Sequence, residues 1–214
     1  MQLPLPFSAR ALLHAISGVA YAADRDGVII GVSRGPFLPE RNRPPTAPPD
    51  HSDMVGKSLF SIIRGEPVRQ SYLTLHRSVW SGDTDAIGFA YRCDAPDIER
   101  HMFMSLSRIS DGPAAIAVLY QSIIISEVHR PPLPLFAFEW LAGPAATADQ
   151  IVTLCSYCQS VAWPTDAYPD QREWIGAVEF YRRGGRTDAV VSHGICEACL
   201  DRIVAPVRSA ATRS

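Results

Sequence analysis

The sequence predicts an α+β fold. An antiparallel five-stranded sheet carries helices between its second and third strands, and a small cysteine-bearing unit follows. Three observations point there. An Asp-Gly turn joins two short apolar runs in "GVAYAADRDGVIIGVS". Three longer apolar runs succeed one another between residues 86 and 126, each bounded by turn chemistry. Two Cys-x-x-Cys pairs stand in the C-terminal third. Hairpin, then helices, then a meander is an α+β order, because helices segregated from the strands must pack on one face of the sheet.

Each element has its own reason. Residues 8–16, "SARALLHAI", space their apolar side chains at a helical period behind Ser8, a residue suited to cap a helix. Asp26-Gly27 is a hairpin signal, since glycine takes positive φ at little cost. The proline-rich stretch 35–52 reads as a loop, "DMVGKSLFSII" as a short helix, and 66–81 as a longer one with Val68, Tyr72, Leu75 and Val79 on one face. Strands are expected at 86–93, 100–109 and 114–126. In the second of these, Met102, Met104 and Leu106 alternate against His101, Ser105 and Ser107. In the C-terminal part, "QREWIGAVEFYRR" (171–183) reads as an amphipathic helix with Trp174, Val178 and Tyr181 on one stripe. "DAVVSHGI" reads as a short strand, and "LDRIVAPV" as a last helix.

Composition narrows the function classes. The chain has 214 residues, 47% of them apolar, so it can bury a core. A net charge of −2 gives no reason to expect nucleic acid or an anionic membrane as partner. Arg10, His14 and Asp24 interrupt the apolar N-terminus, which argues against a secretory signal or a membrane span there, and "AAIAVLYQSIIIS" is too short to cross a bilayer. The expected location is the cytoplasm, where thiols stay reduced and paired cysteines point to metal before disulfide.

The cysteines are the sharpest chemistry. Cys155-x-x-Cys158 and Cys196-x-x-Cys199 are separated by the 37 residues 159–195. Each pair can turn two thiolates onto one cation, and two pairs fill the tetrahedral shell of Zn²⁺, leaving no position for a reacting water. His193 either replaces one cysteine or hydrogen-bonds a thiolate from behind; four cysteines already satisfy zinc, which favours the second role. A dithiol switch is the competing use, because a Cys-x-x-Cys pair also lowers a thiol pKa. No glutamate stands where a zinc deaminase needs one, and no haem-attachment histidine follows either pair.

Two family resemblances lie on these residues. With "DRDGVII" at the first hairpin and "VGKSLFSII" after the second strand, residues 8–127 resemble a PAS domain, which implies a sensory or partner-binding role. Residues 128–150, rich in proline, alanine and isolated aromatics, then form a linker, in which Phe136, Phe138, Trp140 and Leu141 can pack. The unit at 151–207 is similar to a short cysteine module found at the C-terminal end of bacterial signalling proteins: "LCSYC", a Trp-led helix, and "SHGICEAC". That likeness implies metal-ligand roles for Cys155, Cys158, Cys196 and Cys199 and no enzymatic activity. "YRCDAPDIERHMFM" at 91–104 resembles a segment of PAS-like proteins that carry this tail.

Other residues carry less. His76 on the longer helix reads as a structural, partly exposed histidine; an axial haem ligand is the alternative, and nothing else marks a haem pocket. Cys93 reads as a strand cysteine. Arg92, Asp94, Asp97, Glu99 and Arg100 read as a solvated ion-pair cluster of small energetic weight. No nucleophile–base set, G-x-S-x-G elbow or phosphate loop is present in the sequence. The expectation is therefore a non-enzymatic signalling protein with a structural zinc site, whose PAS-like part senses an unidentified ligand or binds a protein partner. The alternative is a redox sensor that releases zinc when its cysteines oxidise.

Overall fold

A computed structural model describes residues 8–33, 51–137, 151–164, 172–205 and 207. Helix α1 (Ala9–Ala15) is capped by Ser8, whose Oγ accepts the Ala11 N–H at 3.1 Å. Strands β1 (Val19–Ala23) and β2 (Ile29–Val32) form the first hairpin. Its turn is organised by Asp24, whose carboxylate accepts the Asp26 and Val28 N–H groups at 3.0 and 2.9 Å, while Gly27 takes φ +76°. A 3₁₀ turn (His51–Met54) and the short α2 (Leu59–Ile62) lead to α3 (Glu66–Ser81). The helix expected over 66–81 is therefore present, while "DMVGKSLFSII" divides into two shorter turns around Gly56.

Strands β3 (Ala86–Arg92), β4 (Ile98–Asp111) and β5 (Ala114–His129) complete a sheet of order β2-β1-β5-β4-β3, antiparallel throughout. This is the five-stranded sheet read from the sequence, with the helices between its second and third strands. The inner face presents Phe89, Met104, Leu106, Val118 and Tyr120 to Leu75 and Val79 of α3. Leu75, Leu106 and Val118 are wholly buried, and each such side chain contributes about 1.5–3 kcal/mol of burial free energy. On the outer face Phe103 pairs with Ile123, and both are exposed.

A second, four-stranded sheet follows: β6 (Ile151–Cys155), β7 (Val161–Pro164), β8 (Arg172–Ile175) and β9 (Val190–Gly194), in the order β8-β7-β6-β9. β6 and β9 run parallel and the other pairs antiparallel. Helix α4 (Ala177–Arg182) lies between β8 and β9, and α5 (Glu197–Cys199) continues into a π-helical turn, Leu200–Val204. The long helix expected over 171–183 is corrected here. Its first half is strand β8, with Trp174 opposite Ala162, and the helix begins only after Gly176, which is extended. Trp174 and Ile175 favour a pleated surface, and glycine is a poor helix interior residue. The helix buries Ala177 and Phe180, while Val178 is exposed.

Segment 130–136 joins the two sheets through an ionic knot. The fully buried Asp94 carboxylate binds Arg92, the Arg130 Nη1 at 2.8 Å and the Arg100 backbone N–H at 3.3 Å. Arg100, also buried, reaches Glu127 at 2.7 Å and the Cys93 carbonyl at 2.9 Å. The expected solvated cluster is thus a buried one, because Arg130 and Glu127, distant in sequence, close over it. Arg130 also lies over the Phe136 ring at 4.8 Å, and Leu135 and Phe136 enter the core of the second sheet. Phe138, Trp140, Leu141 and nearly all of the proline-rich stretch lie outside the described residues. Among the described residues no helix is long and apolar enough to cross a membrane.

Candidate metal centre

Topology brings the two cysteine pairs together. β6 and β9 are adjacent, parallel and in register, Cys155 opposite Gly194. Parallel neighbours deliver their C-terminal ends to the same edge of a sheet, so both pairs emerge side by side. After β6 the chain turns sharply: the Cys155 N–H donates to the Ser160 carbonyl at 2.8 Å, and the Gln159 N–H to the Cys155 carbonyl at 2.9 Å. Gln159 takes φ +61° to close this knuckle, a conformation uncommon for a residue with a side chain. After β9 the chain enters α5, where the Cys199 and Leu200 N–H groups both donate to the Cys196 carbonyl.

The sulfurs of Cys155, Cys158, Cys196 and Cys199 all lie within 4.8 Å of one another. The Cys158 and Cys196 sulfurs are 3.7 Å apart, too far for a disulfide bond and close to the edge of about 3.8 Å that a tetrahedron of 2.3 Å zinc–sulfur bonds requires. Three of the four sulfur-bearing residues are buried and Cys158 is half-buried. Hydrogen bonds among the thiols and burial shift the acidity of Cys158, Cys196 and Cys199. Hydrogen bonding from the Cys155 and Cys199 thiols pulls the Cys158 thiol far down. Burial pushes Cys196 up to about 11, and the hydrogen bonds that Cys199 makes to Cys155 and Cys158 push it up as well. Four sulfurs packed this closely can all ionise only with a cation among them, and an all-sulfur tetrahedron suits a soft, tetrahedral metal. The residues present therefore fit a metal ion.

His193 is not one of the residues gathered at the centre. It is half-buried on β9, opposite Leu154, and burial together with the nearby Arg64 charge lowers its pKa. Its backbone has a clearer job. The Gly65 Cα, at the start of α3 with φ +83°, approaches so closely that an added Cβ would lie 2.2 Å from the His193 carbonyl oxygen.

The centre sits against the first sheet. Cys155, Tyr157, Cys196, Cys199, Ile203, Val204 and Val207 belong to the same buried cluster as Leu75, Phe89, Leu106 and Tyr120. Arg202 lies over Cys199, its guanidinium 3.7 Å from the sulfur, and points toward the Ala90 carbonyl of β3. Sequence reasoning missed Gly65, Ser71 and Tyr157 as supports of the centre. Only the tyrosine inside "CSYC" offered a signal, a large ring in a four-residue turn that has to be buried somewhere.

His76 is wholly buried rather than partly exposed. Its Nδ1 is 2.9 Å from the Tyr120 hydroxyl, and its ring lies between Trp80, Phe60 and Tyr120. Burial lowers its pKa below 6.5. Cys93 stands apart from the four-sulfur group, its thiol pushed up by burial.

No family model and no curated protein matches the chain. Two solved structures are similar to it: a C-terminal domain from Streptococcus mutans, with 12% identity and a TM-score of 0.42, and the PAS domain of BvgS from Bordetella pertussis, with 12% identity and a TM-score of 0.41. Each alignment covers 55% of this chain and 83% of the other.

Proposed function

We propose that this chain is a non-enzymatic signalling protein of the bacterial cytoplasm, in which a PAS-like sensory body is held together with a structural zinc site formed by Cys155, Cys158, Cys196 and Cys199. The observation that carries the reading is the closure of the four sulfurs, within 4.8 Å of one another, beneath the core of the five-stranded sheet. Bound there, the ion would supply cross-linking charge and no catalytic step, since four thiolates complete its shell. The sensory role rests on the PAS resemblance of residues 8–127. The partners are proteins, a second copy included, in keeping with a net charge of −2.

Metal analysis and an absorbance spectrum of the purified full chain test this. The expected result is about one zinc per chain and no haem, flavin or iron–sulfur bands. A chain that neither retains nor takes up zinc refutes the site. A redox reading has one observation in its favour: Cys158 is half-buried, so an oxidant can reach one sulfur. In that case mild peroxide is reduced to water while two thiolates form a disulfide and zinc is released. Zinc that stays bound under peroxide excludes it.

A further inference from the structure

We propose that the metal centre controls the packing of helix α3 through Tyr157, so that metal occupancy and the helix–sheet interface are set together. This rests on the reading that the four cysteines hold a metal ion.

Tyr157 lies inside the first knuckle, two residues after Cys155 and directly before Cys158. It is 1% exposed. Its ring stacks on Tyr72 of α3, with centroids 6.0 Å apart and planes at 12°, and meets Phe89 of β3 edge-on at 5.5 Å. Its hydroxyl is 2.6 Å from the Ser71 Oγ, also on α3. The direction of that bond follows from its neighbour. Ser71 gives its own proton to the Val68 carbonyl at 2.6 Å, so Tyr157 is the donor and Ser71 the acceptor. The Tyr157 carbonyl in turn accepts the Arg92 N–H at 2.8 Å, at the open edge of β3.

One residue thus touches the helix with its hydroxyl, the sheet with its ring and the sheet edge with its carbonyl. It is covalently fixed between two sulfurs of the centre. A metal that draws Cys155 and Cys158 onto one point sets the position of Tyr157, and a buried hydrogen bond of 2.6 Å tolerates little displacement. Without the ion nothing draws Cys155 and Cys158 to one point, and the knuckle is held by its own turn, by the Ser156 N–H bond to the Gly194 carbonyl and by the Tyr157 contacts alone, with Gln159 in a disfavoured conformation. The docked and undocked arrangements of the knuckle are the two states that metal chooses between. Coupling of this kind is reciprocal: the factor by which metal favours docking on α3 is the factor by which docking favours metal, so weakening the dock weakens metal binding. Tyr157 and Ser71 are positioning residues here and do not touch the ion.

The test uses the full chain and zinc. Wild type, Ser71→Ala, Tyr157→Phe and the double variant are titrated with zinc against a chromophoric chelator, and hydrogen exchange is followed with and without chelator. Ser71 is 86 residues away from Tyr157 in sequence and outside the cysteine unit. Ser71→Ala is nonetheless expected to lower zinc affinity about two- to tenfold, the range of one hydrogen bond. Tyr157→Phe should do the same, and the double variant should be no weaker than the worse single one, since all three remove the same bond. In wild type, stripping zinc should speed exchange of the Val68–Val79 amides. Unchanged zinc affinity in a folded Ser71→Ala chain overturns the coupling, as does wild-type α3 exchange that is the same with and without zinc. Both results leave the metal site standing. Wild type that binds no zinc at all overturns the site and the coupling together.

Discussion

Replacing Gly65 by alanine tests whether α3 and β9 are in contact through their backbones. The new Cβ would face two costs. At φ +83° and ψ 119°, outside the left-handed helical region, an alanine is strained by about 1–3 kcal/mol. Its Cβ would also lie 2.2 Å from the His193 carbonyl oxygen, where carbon atoms of this kind keep at least 3.0 Å. A backbone carbonyl in a paired strand cannot rotate away, so either α3 or β9 must shift, at a further cost of about 1–3 kcal/mol. Gly56 provides the control. Its φ is +85°, and a methyl group added there would meet nothing within 4 Å. Gly56→Ala bears the strain alone, about 1–2 kcal/mol, and Gly65→Ala bears both. With a urea slope of about 2 kcal/mol per molar, the midpoint of Gly65→Ala should fall about 0.5–1.5 M below that of Gly56→Ala in unfolding followed by circular dichroism. Equal midpoints for the two variants would refute the close approach and, with it, the seating of β9 against the start of α3.

Other outcomes follow from the same geometry. Cys196→Ser should lose stoichiometric zinc by elemental analysis, and its thermal midpoint should no longer rise when zinc is added; a variant that keeps one equivalent contradicts the ligand set. Asp94→Ala strips a buried carboxylate from Arg92, Arg130 and the Arg100 amide, and should cost about 3–5 kcal/mol in urea unfolding; a loss under about 1 kcal/mol would show the knot to be incidental. His76 has a folded pKa below 6.5 because burial disfavours its charge. The unfolded chain therefore binds the extra proton first as pH falls. Stability should be level above pH 6.5 and decline below it, with at most about 1.4 kcal/mol per pH unit from this residue. His76→Gln should flatten that part of the slope, and an unchanged pH profile would exclude His76 as its source.

The first half of the fold was legible because its signals are local. Ser8 caps its own helix, Asp24 and Gly27 close their own turn, and the alternation of Met102, Met104 and Leu106 declares an inner face without reference to any other segment. The four cysteines were legible for the same reason, since their spacing within each pair states the chemistry. The failures involve partners distant in the chain. Asp94 and Arg100 look like surface charges until Glu127 and Arg130 cover them. "REWI" looks helical when read with "AVEFYR", and becomes a strand because β7 offers it an edge. His76 is buried by Phe60 and Tyr120, which lie on other elements. Ser71 and Gly65 carry no motif; each matters only because the cysteine unit lies against it.

The shared core also orders events in time. Ser71 and its helix leave the ribosome well before Tyr157, and at about 5–20 residues per second the 86 residues between them take about 4–17 s to synthesise. Ile203 and Val204, which complete the same cluster, arrive later still. During that interval α3 and the sheet lack the cover that the cysteine unit later supplies, the edge-on contact of Tyr157 with Phe89 included. A chain that stops before the second cysteine pair would leave this shared core without Cys196, Cys199, Ile203, Val204 and Val207.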